Sequence, residues 1–268
     1  MSSNIRQILH TKFHTTVASG TTITDHAQGE HSVAGPSLIA SEHFDDLIGI
    51  LDRTMGQQSP RVNSASLFSK YYGNLISLPP LYMALHHGVV IDFRLRNIVL
   101  QTPYETWKPR IVLRSLDDIN DDHEHVHGED ALLYKVIRQI FGQNMAPVFH
   151  FLSDTYGVKQ RLLWDNIAFS IQWAFETWVN DAHTVAQRTV ISRAYERLTS
   201  ESPTLFGLPE SEINPLAISC RTVPHPQNEN EQLKLRKQCC LRYSFPQGQR
   251  CLTCPNISEE ERKRLHSQ

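Results

Sequence analysis

Four cysteines near the C-terminal end of the chain have a spacing that could hold a metal centre. Cys239 and Cys240 are adjacent, ten residues follow, and Cys251 and Cys254 are separated by two residues. Two intervening residues allow Cys251 and Cys254 to bind one ion, as in zinc ribbons and iron–sulfur proteins. Neighbouring side chains of an extended chain point apart, so the adjacent pair suits a two-iron cluster better than one tetrahedral zinc. The spacing alone leaves a [2Fe–2S] cluster and a structural zinc site open.

Basic residues surround these cysteines. Residues 232–250 contain no Asp or Glu and five basic side chains: Lys234, Arg236, Lys237, Arg242 and Arg250. Positive charge beside a metal–thiolate centre stabilises its reduced form, and it also attracts an acidic partner protein. If the centre is an iron–sulfur cluster, these residues would favour its reduced form and provide a landing surface for an electron donor. Cys220, the fifth cysteine, lies outside the motif and is predicted to take no part.

The elements that must position the cysteines are mainly helical. Apolar residues make up 40% of the chain and charged residues 20%, as in an ordinary globular protein. Apolar side chains recur at helical spacing in four stretches, at residues 36–56, 64–88, 133–142 and 158–180, and residues 182–200 are predicted to form one more, polar helix. Residues 89–101 and 110–116 alternate apolar and polar side chains. The predicted fold class is α+β, predominantly helical, with a small antiparallel sheet and a C-terminal cysteine-rich iron–sulfur hairpin.

Composition divides the chain into three parts. Residues 1–35 show no clear period and are predicted to be a loosely attached leader. Residues 36–228 form the mainly helical body with its small sheet, and residues 229–268 form the metal-binding segment. Within the body, Pro79 and Pro80 each remove an intrahelical donor, which predicts a bend.

A stretch of alternating histidines also lies in the body. His123, His125 and His127 stand in an acidic sequence. Alternate positions in a loop rarely converge on one ion, so we predict a solvated loop there.

Charge and hydropathy exclude several classes of protein. The net charge of −2 and the isoelectric point near 6.7 argue against nucleic-acid binding, which needs a basic surplus. No run of about 20 apolar residues exists, so no transmembrane segment is predicted. The first residues lack the apolar core of a secretory signal. We therefore predict a cytoplasmic protein. An alternative is that residues 75–85 associate with the surface of the inner membrane. We favour burial of this stretch within the protein.

Three segments resemble the family of FhuF-like siderophore-iron reductases. The first is the cysteine motif, with Arg242 and Tyr243 just after the pair. The second is YYGNLISLPPLYMAL at residues 71–85, and the third is LLWDNIAFSIQW at residues 162–173. A related helical domain of siderophore synthetases lacks the four cysteines, so the cysteines favour the reductases.

The resemblance implies one [2Fe–2S] cluster on Cys239, Cys240, Cys251 and Cys254 that passes single electrons to ferric hydroxamate siderophores in the cytoplasm. Hydroxamate oxygens hold Fe(III) tightly and Fe(II) poorly, so reduction releases the iron. The body is then expected to bind the siderophore, and an external donor such as a ferredoxin, a flavodoxin or a small reductant supplies the electron. The alternative is a siderophore-binding or storage module in which zinc staples the C-terminal segment.

The remaining candidate site residues are aromatic, polar and basic. Trp164 and Asn166 are candidates for lining a siderophore pocket, with packing in the helix or bridging of buried backbone as the alternative. For Trp173 of the same helix we favour packing. Four further residues are candidates for a substrate or donor surface: Arg236, Arg242, Tyr243 and Arg250.

Overall fold

A computed structural model describes residues 2–18, 29–56, 59–116, 129–228 and 230–266 of the chain. Its fold is mostly helical α+β with two small sheets, in agreement with the predicted class. The elements of the first half are α1 (Ser2–Phe13), β1 (Thr16–Val17), β2 (Glu30–Ala34), a 3-10 helix (Gly35–Ile39), α2 (Ser41–Thr54), α3 (Arg61–His87), a 3-10 helix (Leu95–Asn97), β3 (Ile98–Pro103) and β4 (Arg110–Leu113). The predicted histidine loop at residues 123, 125 and 127 lies outside the described residues.

The second half begins with three helical segments that follow one another directly. The elements are α4 (Glu129–Ile137), a π-helix (Arg138–Met145), α5 (Ala146–Tyr156), α6 (Gln160–Asp181), α7 (Val185–Ser200), a 3-10 helix (Pro203–Phe206), β5 (Thr222–Pro224), β6 (Gln232–Lys234), a 3-10 helix (Arg242–Ser244) and α8 (Glu259–His266). α7 starts with a capping box, in which Thr184 and Gln187 satisfy each other's backbone N–H groups. Among the described residues, no helix is long and apolar enough to cross a bilayer.

The larger sheet differs from the prediction in two respects. Its order is β1-β4-β3-β2, with β1 parallel to β4 and the other pairs antiparallel, so the sheet is mixed. The strand expected over residues 89–101 begins only at Ile98, after a 3-10 turn.

Of the first 35 residues, the described ranges 2–18 and 29–35 are packed against the body. They supply α1 and the two edge strands β1 and β2, and Leu9 is fully buried. The description of a loosely attached leader therefore needs correction. The physical reason is that β3 and β4 would otherwise leave their outer backbone groups without partners.

Helices α3 and α6 form the centre of the body and run side by side in the same direction. Asn166 of α6 contacts Ser66 of α3, and further along, Trp178 packs on Tyr82. A Cβ atom on Gly73 would overlap Ile167, so the two helices approach closely there. α3 ends at Gly88, which adopts the left-handed conformation that caps helices.

The proline pair does not divide α3, and the apolar stretch around it is not a surface. The helix is continuous through Pro79 and Pro80, and both prolines are buried. None of the residues 75–85 is exposed, so burial, the favoured alternative, describes this stretch.

The prediction of a central buried helix over residues 158–180 is confirmed by α6, with one exception. Trp164 is fully buried among Phe141, Phe149 and Phe206. Trp173, for which packing was favoured, is instead 64% exposed. Trp173 therefore lies on the solvent side of α6.

Candidate metal centre

The four cysteines lie beside the N-terminal halves of α3 and α6. Cys254 Sγ lies 3.8 Å from Cys239 Sγ. Two thiolates bound to one tetrahedral ion at ~2.3 Å lie about 3.8 Å apart, so this spacing is that of two ligands on one ion. Cys240 and Cys254 are buried, whereas Cys239 and Cys251 are half-buried. The group of four cysteines therefore reaches the surface on the side of Cys239 and Cys251.

The backbone between the cysteines turns tightly. Leu241 has a φ of +62°, an uncommon conformation for a residue with a side chain. At Gly248 a Cβ would overlap the carbonyl oxygen of Arg242, so only glycine fits this turn. Residues 239–254 contain no strand; the nearest hairpin, β5–β6, ends before Cys239. In place of the predicted hairpin, the structure has turns around the short 3-10 helix Arg242–Ser244.

Side chains of α3 and α6 hold this segment in place. Ser66 Oγ donates to the carbonyl of Cys240 at 3.3 Å, and Asn166 Nδ2 donates to the carbonyl of Ser66 at 2.9 Å. Arg236 Nη1 donates to the carbonyl of Asn166 at 3.3 Å. Asn166 is therefore a buried bridge between the two helices and the cysteine segment, which is the second of the two roles that the sequence leaves open.

Three cations surround the thiols. Arg262 of α8 is 2% exposed and donates to the carbonyl of Cys254 at 3.2 Å. Arg236 is 9% exposed and stacks on Phe169. Lys70 lies one turn after Ser66 on α3; burial lowers its pKa, whereas negative charge on Cys240 or Cys251 raises it. The thiols thus lie in an electropositive, partly buried environment.

These surroundings fit an anionic metal–thiolate centre. The Nε atoms of Arg236 and Arg262, and Nη1 of Arg262, are buried without a hydrogen-bond partner in the described part of the chain. Buried charged donors without partners are costly, so an anion beside them is favoured. In the metal-free chain, burial and the neighbouring thiols raise the pKa of Cys239 to about 12. A bound metal would replace the proton and create the missing negative charge.

The structure brings two of the four candidate cysteine ligands to the spacing of ligands on one ion. Within the described ranges, no three His, Cys, Asp or Glu side chains are arranged as ligands of one metal ion. A [2Fe–2S] cluster requires only two thiolates on each iron, because four cysteines are shared between two irons. The four cysteines would together hold such a cluster, and the structure brings Cys239 and Cys254 to the spacing of two ligands of one iron.

A buried carboxylate lies under the cysteine segment. Asp165 is 3% exposed and accepts a hydrogen bond from Gln238 Nε2 at 2.6 Å, with Arg161 at 3.3 Å. Burial raises the pKa of Asp165, and the nearby Arg161 and Lys237 only partly oppose this. The folded chain therefore holds this proton more tightly than the unfolded chain does.

Replacement of Asp165 by Asn tests whether the raised pKa of Asp165 makes the stability of the folded chain depend on pH. A raised pKa in the folded state contributes stability at low pH that is lost as pH rises through the folded value. We expect the free energy of unfolding of the native chain to fall relative to that of Asp165→Asn as pH rises from 4 to 7. Asn keeps a carbonyl oxygen for Gln238. Urea unfolding at several pH values measures the difference, and a difference independent of pH would contradict the expectation.

The structure separates the predicted surface residues into two groups. Trp164, Asn166 and Arg236 are buried and form no contact surface; Asn166 and Arg236 support the cysteine segment from within, whereas Trp164 packs in the core. Arg242 and Tyr243 are exposed, and half-buried Arg250 stacks on the Tyr243 ring at 4.9 Å. The last three therefore form the accessible face beside the cysteines.

Sequence reasoning missed Lys70, Ser66 and Arg262 as parts of the site. Lys70 and Ser66 lie far from the cysteines along the chain, and their positions depend on how α3 packs. Arg262 stands in the charged helix α8, where its neighbours Lys263 and Arg264 are exposed. Spacing from Cys254 alone does not distinguish it from them.

A cavity of about 910 Å³ lies at the opposite end of the body. Its walls include Tyr82, Leu133, Trp178 and Ile191, and Arg193 stands at its side. Tyr82 is sixteen residues after Ser66 on α3, which corresponds to roughly 24 Å along the helix. A molecule in this cavity would therefore lie far from the thiols.

The fold and the site together define a helical α+β protein with a thiol-rich centre at one end. The chain belongs to the FhuF-like family: the family described as "Ferric iron reductase FhuF-like transporter" matches residues 66–230. This confirms the resemblance found in the sequence. The match covers α3 to the β5–β6 connection and ends before the four cysteines. No curated protein matches the chain.

Two solved structures are similar to the fold. One is the aerobactin synthetase IucC from a hypervirulent pathotype of Klebsiella pneumoniae, with 13% identity over 80% of this chain and a TM-score of 0.51. The other is the petrobactin biosynthesis protein AsbB from Bacillus anthracis str. Sterne, with 14% identity over 80% of this chain and a TM-score of 0.49. The chain spans 47% and 45% of these two proteins. At such identities the likeness to the first concerns the fold alone.

Proposed function

We propose that this chain reduces ferric siderophores by one electron at a [2Fe–2S] centre held by Cys239, Cys240, Cys251 and Cys254, and so releases Fe(II) in the cytoplasm. The observation that carries the proposal is the group of four thiols with buried, unpartnered guanidinium nitrogens beside it. The description of the family as a ferric iron reductase supports the redox reaction. The aerobactin synthetase with the same fold is a siderophore enzyme by its name, which supports the substrate class.

The chemistry of the substrate explains why one electron is sufficient. Hard, anionic hydroxamate oxygens prefer Fe(III) to Fe(II), so an Fe(II) complex dissociates and the metal is released. A bound [2Fe–2S] centre would supply a carrier of single electrons. An external donor, a ferredoxin, a flavodoxin or a small reductant, provides each electron, which converts one Fe(III) into one Fe(II).

The residues of the chain itself would bind the metal centre and position the substrate and the electron donor. The four thiols would hold the centre, and Cys239 and Cys251 are the two of them that are half-buried. Arg242, Tyr243 and Arg250 form the face beside that edge, where an amphipathic chelate finds an aromatic ring and an acidic donor finds positive charge.

The experiment starts from anaerobically purified protein. Iron, zinc and acid-labile sulfide are measured first, and the protein is then reduced and mixed with ferrioxamine in the presence of an Fe(II) trap. The expected result is two irons and two sulfides per chain, and reoxidation of the centre while the trap fills. A centre that stays reduced refutes the proposal. Zinc without sulfide supports the alternative of a siderophore-binding module with a structural metal.

A further inference from the structure

Arg262 of α8 is a buried cation with unused hydrogen-bond donors. Its side chain is 2% exposed, and Nη2 donates to the carbonyls of Cys254 at 3.2 Å and Ile257 at 3.4 Å. Its Nε and Nη1 atoms are buried, and neither has a hydrogen-bond partner in the residues that the structure describes. A guanidinium cannot lose its charge under ordinary conditions, so a buried one requires a negative neighbour.

The charged groups near Arg262 identify that neighbour. Arg221 is a second cation and repels it, and the carboxylate of Glu259 makes no hydrogen bond to it. Arg262 contacts the backbone of Cys254 directly, and the groups that act on its charge include the thiols of Cys254 and Cys251. These are neutral when protonated and become negative when a metal displaces their protons.

We propose that Arg262 is a positioning residue of the metal centre, whose buried charge compensates the thiolates of Cys251 and Cys254. It thereby slows loss of the metal and favours the reduced form of the centre. The proposal gives α8 a function, although this helix lies outside the residues that match the family. Only the effect on reduction rests on the proposed function, since compensation of thiolate charge applies to any bound metal.

Three variants test the proposal in the full chain. Arg262→Gln keeps donors for the two carbonyls and removes the charge, Arg262→Lys keeps the charge, and Arg264→Gln removes a charge from the exposed face of the same helix. Circular dichroism shows whether each variant folds. The reduction potential of the centre and the rate at which a chelator removes the metal are then measured.

We expect Arg262→Gln to shift the redox equilibrium about tenfold towards the oxidised form, which corresponds to about 59 mV for one electron. It should also release metal about tenfold faster, in the lower part of the range found when a neighbour of a metal ligand is replaced. Arg262→Lys and Arg264→Gln should stay close to the native chain. Equal potentials and equal release rates in Arg262→Gln and Arg264→Gln overturn the proposal.

The two possible failures are distinguishable. If the chain contains zinc and no sulfide, the proposed function fails, and the release rates still decide the role of Arg262. If the centre is redox-active and Arg262→Gln resembles Arg264→Gln in both measurements, the proposed function stands and the compensation fails. If Arg262→Gln does not fold, Arg262→Lys decides: metal release as slow as in the native chain supports compensation, and faster release contradicts it.

Discussion

Replacement of Cys254 by Ser is expected to abolish the metal centre. Cys254 is buried and its Sγ lies at ligand spacing from Cys239, so a hydroxyl at this position removes one of two paired thiolates. Even the loss of a group that only supports a ligand lowers metal affinity 10- to 100-fold, so loss of the ligand itself should lower it by at least about 100-fold. Metal and sulfide content and the visible absorption of the purified variant measure the effect.

The matched control is Cys220→Ser, which removes a thiol outside the group. Cys220 Sγ contacts Gln172 Oε1 at 3.3 Å, and a serine hydroxyl can replace that weak contact. This variant should keep the metal content of the native chain. Equal metal content in Cys254→Ser and the native chain would show that the four cysteines do not act together, whereas loss of metal in Cys220→Ser would assign this cysteine to the site.

The sequence predicts those parts of the molecule that depend on local patterns. Helical periodicity identifies α3 and α6, and the spacing of the four cysteines indicates that they lie together. When a helix is apolar on nearly all sides, however, its sequence does not show which face is buried. The pattern therefore cannot distinguish buried Trp164 from exposed Trp173. The partners of Arg262 likewise depend on tertiary packing, because exposed Arg264 has the same charge on the same helix.

Pairing between strands that are far apart in the chain could also not be predicted from the sequence. β1 pairs with β4 although Thr16 and its partner Val112 are far apart in the chain. A strand of two residues has too few side chains to show alternation. For this reason the sequence did not show that the described residues 2–18 and 29–35 pack on the body.

A single added methyl group at Gly73 is expected to separate the two helices that carry the site. A Cβ there would overlap the buried side chain of Ile167, which adjoins the bridging residue Asn166. Overpacking of this kind costs about 1–3 kcal/mol. We therefore expect Gly73→Ala to lower the free energy of unfolding, as measured by urea denaturation, and to weaken retention of the metal.

The control is the same substitution in a helix with free space. At Gly49 of α2 a Cβ would come no closer than 3.4 Å to the guanidinium of Arg53, so Gly49→Ala should stabilise the chain by up to about 1 kcal/mol through helix propensity. Ile167→Ala removes the overlapping atoms, so the double variant Gly73→Ala/Ile167→Ala should lose less stability than the sum of the two single variants. Additive losses would contradict the expectation, because they would mean that the added methyl group and the Ile167 side chain do not meet.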